Sequence, residues 1–277
     1  MTPKRILVLG GGFAGLWSAV GAARKLDELG LGPDAVEVTL VNRDAFHGIR
    51  VRNYEADLST VRVPLDAVLG PIGVRRVEGD VTAIDPAGAA VTVRTADGPR
   101  TLPYDRLVFA LGSQLTRPDV PGLAEFAFDV DTYAAAERLN DHIRSLAGRP
   151  DSGGRFTAVV VGAGLTGIEA ATELPGKLRA AGANRFRVVL VDRNPYVGSD
   201  MGDSARPVIE AALSELGIER RLGTGVAAVG PDAVTLGTGE VIPAATVVWC
   251  GGLRANPLTR SFQVELDPLG RLPVDEF

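Results

Sequence analysis

The chain has 277 residues, of which 29 are basic and 34 acidic, for a net charge of −5, and 45% are hydrophobic. That length is a prior for two domains, and the apolar fraction can fill a core in each, which excludes a disordered tail. The acid excess and the absence of a Lys/Arg block exclude a basic nucleic-acid-binding surface. One cysteine and two histidines exclude a disulfide framework and a paired-cysteine redox motif, and no metal site is expected.

The first apolar run, residues 5–9 (RILVL), has no alternation and reads as a parallel strand buried on both faces. Glycines 10, 11, 12 and 15 follow, then a helix over 16–29 that Gly30, Gly32 and Pro33 end, then a second strand over 36–41. In 44–76 charged residues interrupt each apolar run and Pro64 and Pro71 break the chain, which predicts a loop with one short helix. Alternation at Val81, Ile84, Val91, Val93 and Leu102, with Asp97-Gly98 as a turn, predicts a small antiparallel set, and 107–111 reads as another buried strand. An amphipathic helix is expected over 132–146, and 148–154 (GRPDSGG) is the clearest linker. A strand over 156–161, glycines 162, 164 and 167, and a helix over 168–174 that Pro175 bends or restarts come next. The remainder reads as a strand over 187–191, a helix over 204–216, and strands over 226–236 and 241–250.

The two halves repeat. Residues 39–46 (TLVNRDAF) align with 189–196 (VLVDRNPY), placing Asn42 on Asp192, Arg43 on Arg193 and Phe46 on Tyr196. Each half carries G-x-G-x-x-G between a strand and a helix: Gly10, Gly12 and Gly15, then Gly162, Gly164 and Gly167. The first glycine makes a tight turn, the second lets backbone approach a pyrophosphate at the helix N-terminus, and the third lets helix and strand pack closely. One such motif is weak; two in matching contexts point to two dinucleotide sites. Asp192 ends the second strand, where a carboxylate accepts ribose hydroxyls and repels a 2′-phosphate, favouring NAD(H); the alternative is a solvated strand end. Asn42, in the matching place, can bond a ribose hydroxyl without charge. Two dinucleotide sites imply a relay from nicotinamide to flavin, in which the cofactors carry the chemistry.

The segments VLGGGFAG, YDRLVFALGS, VVVGAGLTGIEAATEL and VVWCGGLRANPL resemble the two-dinucleotide flavoprotein (pyridine nucleotide–disulfide oxidoreductase-like) family, and within it the type II NADH dehydrogenases (NADH:quinone reductases). The resemblance implies an α/β fold of two Rossmann-like domains, each a parallel sheet with a small antiparallel meander. An FAD-binding domain would span 1–115 completed by 251–277, and an NAD(H)-binding domain 116–250. By the same resemblance Phe13, Ala14, Asn42, Arg43, His47, Val81, Ala110 and Gly112 join the first three glycines around FAD. Leu165, Thr166, Asp192, Arg193 and Gly251 join the second three around the cofactors, and Glu169, the catalytic candidate, lies near the nicotinamide; the alternative for it is a carboxylate on the helix surface. Val81 matches a position where backbone meets the adenine, and Ala110-Leu111-Gly112 matches an Ala-Thr-Gly turn beside the flavin with its hydroxyl lost.

Family members continue to a Gly-Asp motif for the FAD pyrophosphate and ribitol, then to a region supporting dimerisation and membrane docking. The chain stops at Phe277, so it is expected to be a truncated form of a homodimeric, membrane-peripheral parent. The implied activity is oxidation of NADH through FAD, with electrons passed to a quinone or other small acceptor. A reductase for a small electron-carrier protein and an NAD(H)-binding module without turnover are the alternatives. No apolar run reaches the roughly 18 residues of a membrane span. A cytoplasmic location is expected, because the four apolar residues between MTPKR and the glycines suit a strand better than a signal peptide. Cys250 and Trp249 read as core, His47 as a site residue or a loop hydrogen bond, His142 as a surface residue, and Arg50, Arg52 and Arg62 as a loose basic cluster on a solvated loop.

Overall fold

The computed structural model describes residues 2–199 and 201–275; Phe277, the expected point of truncation, lies outside them. The chain forms two compact units, Met1–Ile49 with Ser59–Gln114 and Leu253–Phe277, and Arg50–Leu58 with Leu115–Gly252. Residues 50–58, which the sequence places with the first glycine motif, therefore group with the second unit. Polar contacts hold them there: the Asn140 amide donates to the carbonyls of Glu55 and Ala56 (3.4 and 3.3 Å), and the Ala56 N–H donates to Glu173 (3.1 Å).

The first unit opens with β1 (Lys4–Leu9), α1 (Phe13–Glu28) and β2 (Val36–Asn42). Helix α1 starts three residues earlier than its apolar pattern suggests, because Gly12 serves as its N-cap and the chain turns helical at once. Residues 44–76 hold more structure than the loop expected of them. A hairpin of β3 (Phe46–Gly48) and β4 (Arg62–Pro64) precedes the short helix α2 (Leu65–Leu69) and strand β5 (Arg75–Glu78). The antiparallel set is β6 (Asp80–Asp85), β7 (Ala90–Thr95) and β8 (Gly98–Pro103), followed by β9 (Arg106–Phe109) and the short β10 (Ser113–Leu115). Four strands form a parallel sheet in the order β5-β2-β1-β9, with Leu9 opposite both Val41 and Phe109. One sheet face, with Leu7, Leu9, Val41 and Val77, packs with Val91 and Val93 of the meander; the other, with Val8 and Leu40, packs with Ala19 of α1 and Leu65 and Leu69 of α2.

The second unit contains α3 (Leu123–Phe126), α4 (Tyr133–Ser145), β11 (Thr157–Val161), α5 (Leu165–Ala180), β12 (Arg187–Asp192), α6 (Arg206–Glu215) and β13 (Glu219–Leu222). A meander of β14 (Val226–Val229), β15 (Ala233–Leu236) and β16 (Val241–Pro243) precedes β17 (Thr246–Trp249); β18 (Leu253–Ala255) then returns to the first unit. Its parallel sheet has the order β13-β12-β11-β17, the same third-second-first-fourth arrangement as the first. All five residues of β11 are buried, as a central strand covered on both faces requires. The fold is α/β, with two Rossmann-like units.

Several expectations need correction. The strand over 226–236 is two strands joined by a turn at 230–232, and that over 241–250 is broken after Pro243, which cannot continue a ladder. Helix α5 starts at Leu165 and runs through Pro175 unbroken. Burial of Ala170, Ala171, Leu174 and Leu178 holds its axis against the sheet on both sides of the proline. The 148–154 linker lies inside the second unit, and the Gly154 carbonyl accepts the Ala245 N–H (2.9 Å). His142 is no surface residue: its ring packs on Phe128 with centroids 4.3 Å apart, and its Nε2 lies 3.0 Å from Thr246 Oγ1. Burial pushes its pKa down to about 4.

Candidate dinucleotide-binding sites

The first glycine loop joins β1 to α1. Gly10 has φ +103°, and a Cβ on it would sit 2.3 Å from the Ala110 carbonyl oxygen. Both facts demand glycine. A Cβ on Gly15 would lie 1.8 Å from the Gly10 oxygen, so the third glycine lets α1 close on the loop. Gly12 is different: its backbone is extended (φ −72°, ψ −173°), and an added Cβ meets nothing within 4 Å. It caps α1 with no side-chain hydrogen bond to the helix.

The middle residue, Gly11, is held from both sides. Its N–H donates to Asn42 Oδ1 (2.9 Å), and its carbonyl lies 2.8 Å from His47 Nδ1. Asn42 also donates through Nδ2 to the carbonyls of Asp44 and Phe46, each at 3.0 Å, so both of its amide hydrogens serve the turn after β2. His47 is buried, and its ring meets Phe13 edge to face with centroids 4.7 Å apart. Phe13 is 50% exposed, and Ala14 is exposed beside it. Arg43 is 3.9 Å from Asp80, a carboxylate that also pairs with Arg94. Val81 and Leu111 pack against the core, and Gly112 turns the chain with φ +70° and accepts the Asn256 N–H (3.2 Å).

The second loop repeats this geometry. Gly162 has φ +107° and stands against the Cys250 carbonyl, a Cβ on Gly167 would lie 1.7 Å from the Gly162 oxygen, and a Cβ on Gly164 meets nothing within 4 Å. Gly164 caps α5 without a side-chain bond. The Asp192 carboxylate accepts the Ala163 N–H and, at 2.7 Å, the Asn194 N–H. The Ala163 carbonyl accepts the Gly198 N–H (2.8 Å). Leu165 and Thr166 are exposed in the first turn of α5, and Arg193 packs its stem near Gly225. Gly251 faces the Trp249 indole, where a Cβ would lie 2.6 Å from the ring.

Glu169 lies one turn into α5, half-buried, and burial raises its pKa. Burial also raises Tyr54, and the negative charge of Glu169 adds to the effect. One buried lysine escaped the sequence reading. Lys177 donates to Asn140 Oδ1 (2.8 Å), and burial brings its pKa down to about 8. A lysine on the apolar side of a helical pattern is the only sequence signal for it. Cys250 borders the core, where burial pushes its thiol up to about 12. The three arginines read as a loose solvated cluster are engaged: Arg50 pairs with Asp131, Arg52 with Glu55, and Arg62 stacks on Phe46.

The chain's own packing explains Gly10, Gly15, Gly162 and Gly167. It does not explain Gly12 and Gly164, whose bare backbone leaves open space at a helix N-terminus that no side chain caps. The residues present there fit an anion such as a dinucleotide pyrophosphate, which the free loop amides could hold. Among the described residues no helix is long and apolar enough to cross a membrane.

Two strand–glycine loop–helix units, each closed by a polar residue at the end of its second strand, define a doubled α/β protein of the dinucleotide-binding type. The chain belongs to the pyridine nucleotide-disulphide oxidoreductase family, whose pattern residues 4–277 match. It is 57% identical over 277 residues to an NADH dehydrogenase-like protein of Mycobacterium tuberculosis H37Rv, covering 99% of this chain and 68% of that protein. It is 30% identical over 301 residues to a type II NADH:quinone oxidoreductase of the same organism, covering 98% and 63%. Among solved structures, NDH2 from Plasmodium falciparum in complex with NADH superposes with a TM-score of 0.78 at 14% identity, over 94% of this chain and 57% of that one. The likeness to that structure is one of fold. The chain thus spans about two thirds of the length of these curated relatives.

Proposed function

We propose that the first unit holds FAD, that the second holds NAD(H), and that the protein oxidises NADH and passes the electrons to a quinone or another small acceptor. The observation that carries this reading is the pair of glycine loops whose second glycine is dispensable to the fold and open to a ligand. Bound flavin supplies hydride acceptance and release of single electrons. The chain's residues bind and orient. The loop amides at Gly12 and Gly164 meet the pyrophosphates, Asp192 accepts ribose hydroxyls, and Glu169 borders the nicotinamide. Around the first cofactor, Val81, Ala110 and Gly112 offer backbone, while Asn42 keeps a lone pair on Oδ1 for a ribose hydroxyl. The relatives named as NADH dehydrogenase-like and NADH:quinone oxidoreductase support NADH as donor and a quinone as acceptor.

The test is the visible spectrum of the purified 277-residue chain, with acid release and identification of any chromophore, followed by NADH titration. Flavin bands, released FAD and bleaching by NADH support the reading. A chain that takes up no added FAD overturns it. Turnover with a soluble quinone but not with a small electron-carrier protein supports the acceptor; the reverse replaces it.

A further inference from the structure

The repeat is closely matched around the middle residue of each glycine loop, except for one hydrogen-bond donor. In the second unit the Ala163 carbonyl accepts a backbone N–H, that of Gly198. In the first unit the Gly11 carbonyl meets a side chain, His47. The repeat frame places His47 on Val197 and Gly48 on Gly198, so an imidazole has taken over what a main-chain amide does in the other half. A carbonyl can only accept, so Nδ1 carries the proton and the tautomer is fixed.

The Gly11 carbonyl and the Gly12 N–H belong to one planar trans peptide and point in opposite directions. Whatever holds the carbonyl therefore aims the amide. That amide starts α1 and borders the open space where a Cβ on Gly12 meets nothing. The peptide lies within three consecutive glycines, 10, 11 and 12, so intrinsic backbone preference hardly restrains it. Ala163 has a Cβ and restrains the corresponding peptide more. The first loop needs an outside clamp, and His47 is buried where it can serve as one.

We propose that His47 is a positioning residue: through the Gly11 carbonyl it aims the Gly12 N–H at the anionic group of the dinucleotide bound by the first unit. This rests on the reading of that unit as an FAD site. His47 acts through the loop and makes the affinity of the first site, but not the second, depend on one side chain.

The experiment compares H47F, which keeps a ring against Phe13 but loses the donor, with H47N, whose amide nitrogen can occupy the Nδ1 place. FAD and NADH dissociation constants are measured on each full chain, with hydrogen exchange of the loop amides 10–15 without ligand. The expected result is FAD binding about tenfold weaker in H47F, the loss of roughly one hydrogen bond. H47N should stay within about threefold of the parent, with NADH affinity unchanged in both. Loop exchange should rise in H47F and stay low in H47N. Parental FAD affinity and loop exchange in H47F, or weak binding in H47N, would overturn the proposal, because ring packing would then be what matters. If H47F does not fold, H47N against the parent decides by the same criterion. If the parent takes up no FAD, the flavin reading fails by itself and loop exchange alone judges the clamp.

Discussion

Gly164→Ala and Gly167→Ala add the same methyl group three residues apart in one helix start, yet they should fail in different ways. At Gly167 the new Cβ would lie 1.7 Å from the Gly162 oxygen. Helix α5 must retreat by roughly 1.5 Å to restore van der Waals contact. The residues that would move with it, Ala170, Ala171, Leu174 and Leu178, are buried against the sheet. Overpacking of this kind costs about 3 kcal/mol, and at roughly 2–4 °C per kcal/mol the melting temperature should fall by about 6–12 °C. At Gly164 the backbone is extended (φ −77°, ψ −177°) and the Cβ meets nothing. Alanine is a poorer N-cap than glycine but reduces unfolded-chain entropy, so the net change should be within about 1 kcal/mol. The methyl does, however, fill the space next to the amide that a pyrophosphate would occupy. NADH affinity should drop by about 10- to 100-fold, the cost of forcing one methyl into a close contact. Thermal melts and calorimetric NADH titration read the two effects separately. Normal NADH binding by Gly164→Ala would refute the placement of the ligand, and a normal melt for Gly167→Ala would refute the packing argument. The same pair at Gly12 and Gly15 should divide FAD affinity from stability in the first unit.

Other consequences are as direct. Asp192→Asn leaves one oxygen to accept what two now accept, the N–H groups of Ala163 and Asn194. It should cost about 1–2 kcal/mol of stability, weaken NADH roughly tenfold and narrow the preference over NADPH; paired titrations check it. Lys177 has a folded-state pKa near 8 against 10.5 unfolded, so the unfolded chain binds more protons between these values and stability should rise with pH across that window. Lys177→Met should abolish this rise in denaturant midpoints. His142 is held near 4 against 6.5, so the unfolded chain takes up the proton first and stability should fall as pH drops from about 6.5 to 4. His142→Phe should flatten that part of the acid profile.

Much of the fold was legible because it is written in local patterns. A short apolar run followed by glycines at fixed spacing specifies a buried strand, a turn only glycine can make and a helix start, and its repetition exposes the doubled unit. The hairpin over 46–64 was illegible, because its two strands are three residues long and carry no period. The breaks within 226–236 and 241–250 do carry local signals, Gly230-Pro231-Asp232 and Pro243, which the apolar residues on either side of them outweigh in a reading by hydrophobicity. Residues 50–58 look like a continuation of the first half; their partners Asn140 and Glu173 are more than 80 positions away.

Within the sites, the sequence by itself determined the six motif glycines and the pairing of Asn42 with Asp192, since steric need and repeat spacing are local properties. Only the tertiary structure decided that Gly12 and Gly164 are free of packing duty, that Asn42 spends its amide hydrogens on the following turn, and that His47 reaches back to Gly11. Each depends on which atoms approach across the sheet edge. A hydrogen bond depends on distance and direction in space, and residue order carries neither until the chain has closed on itself.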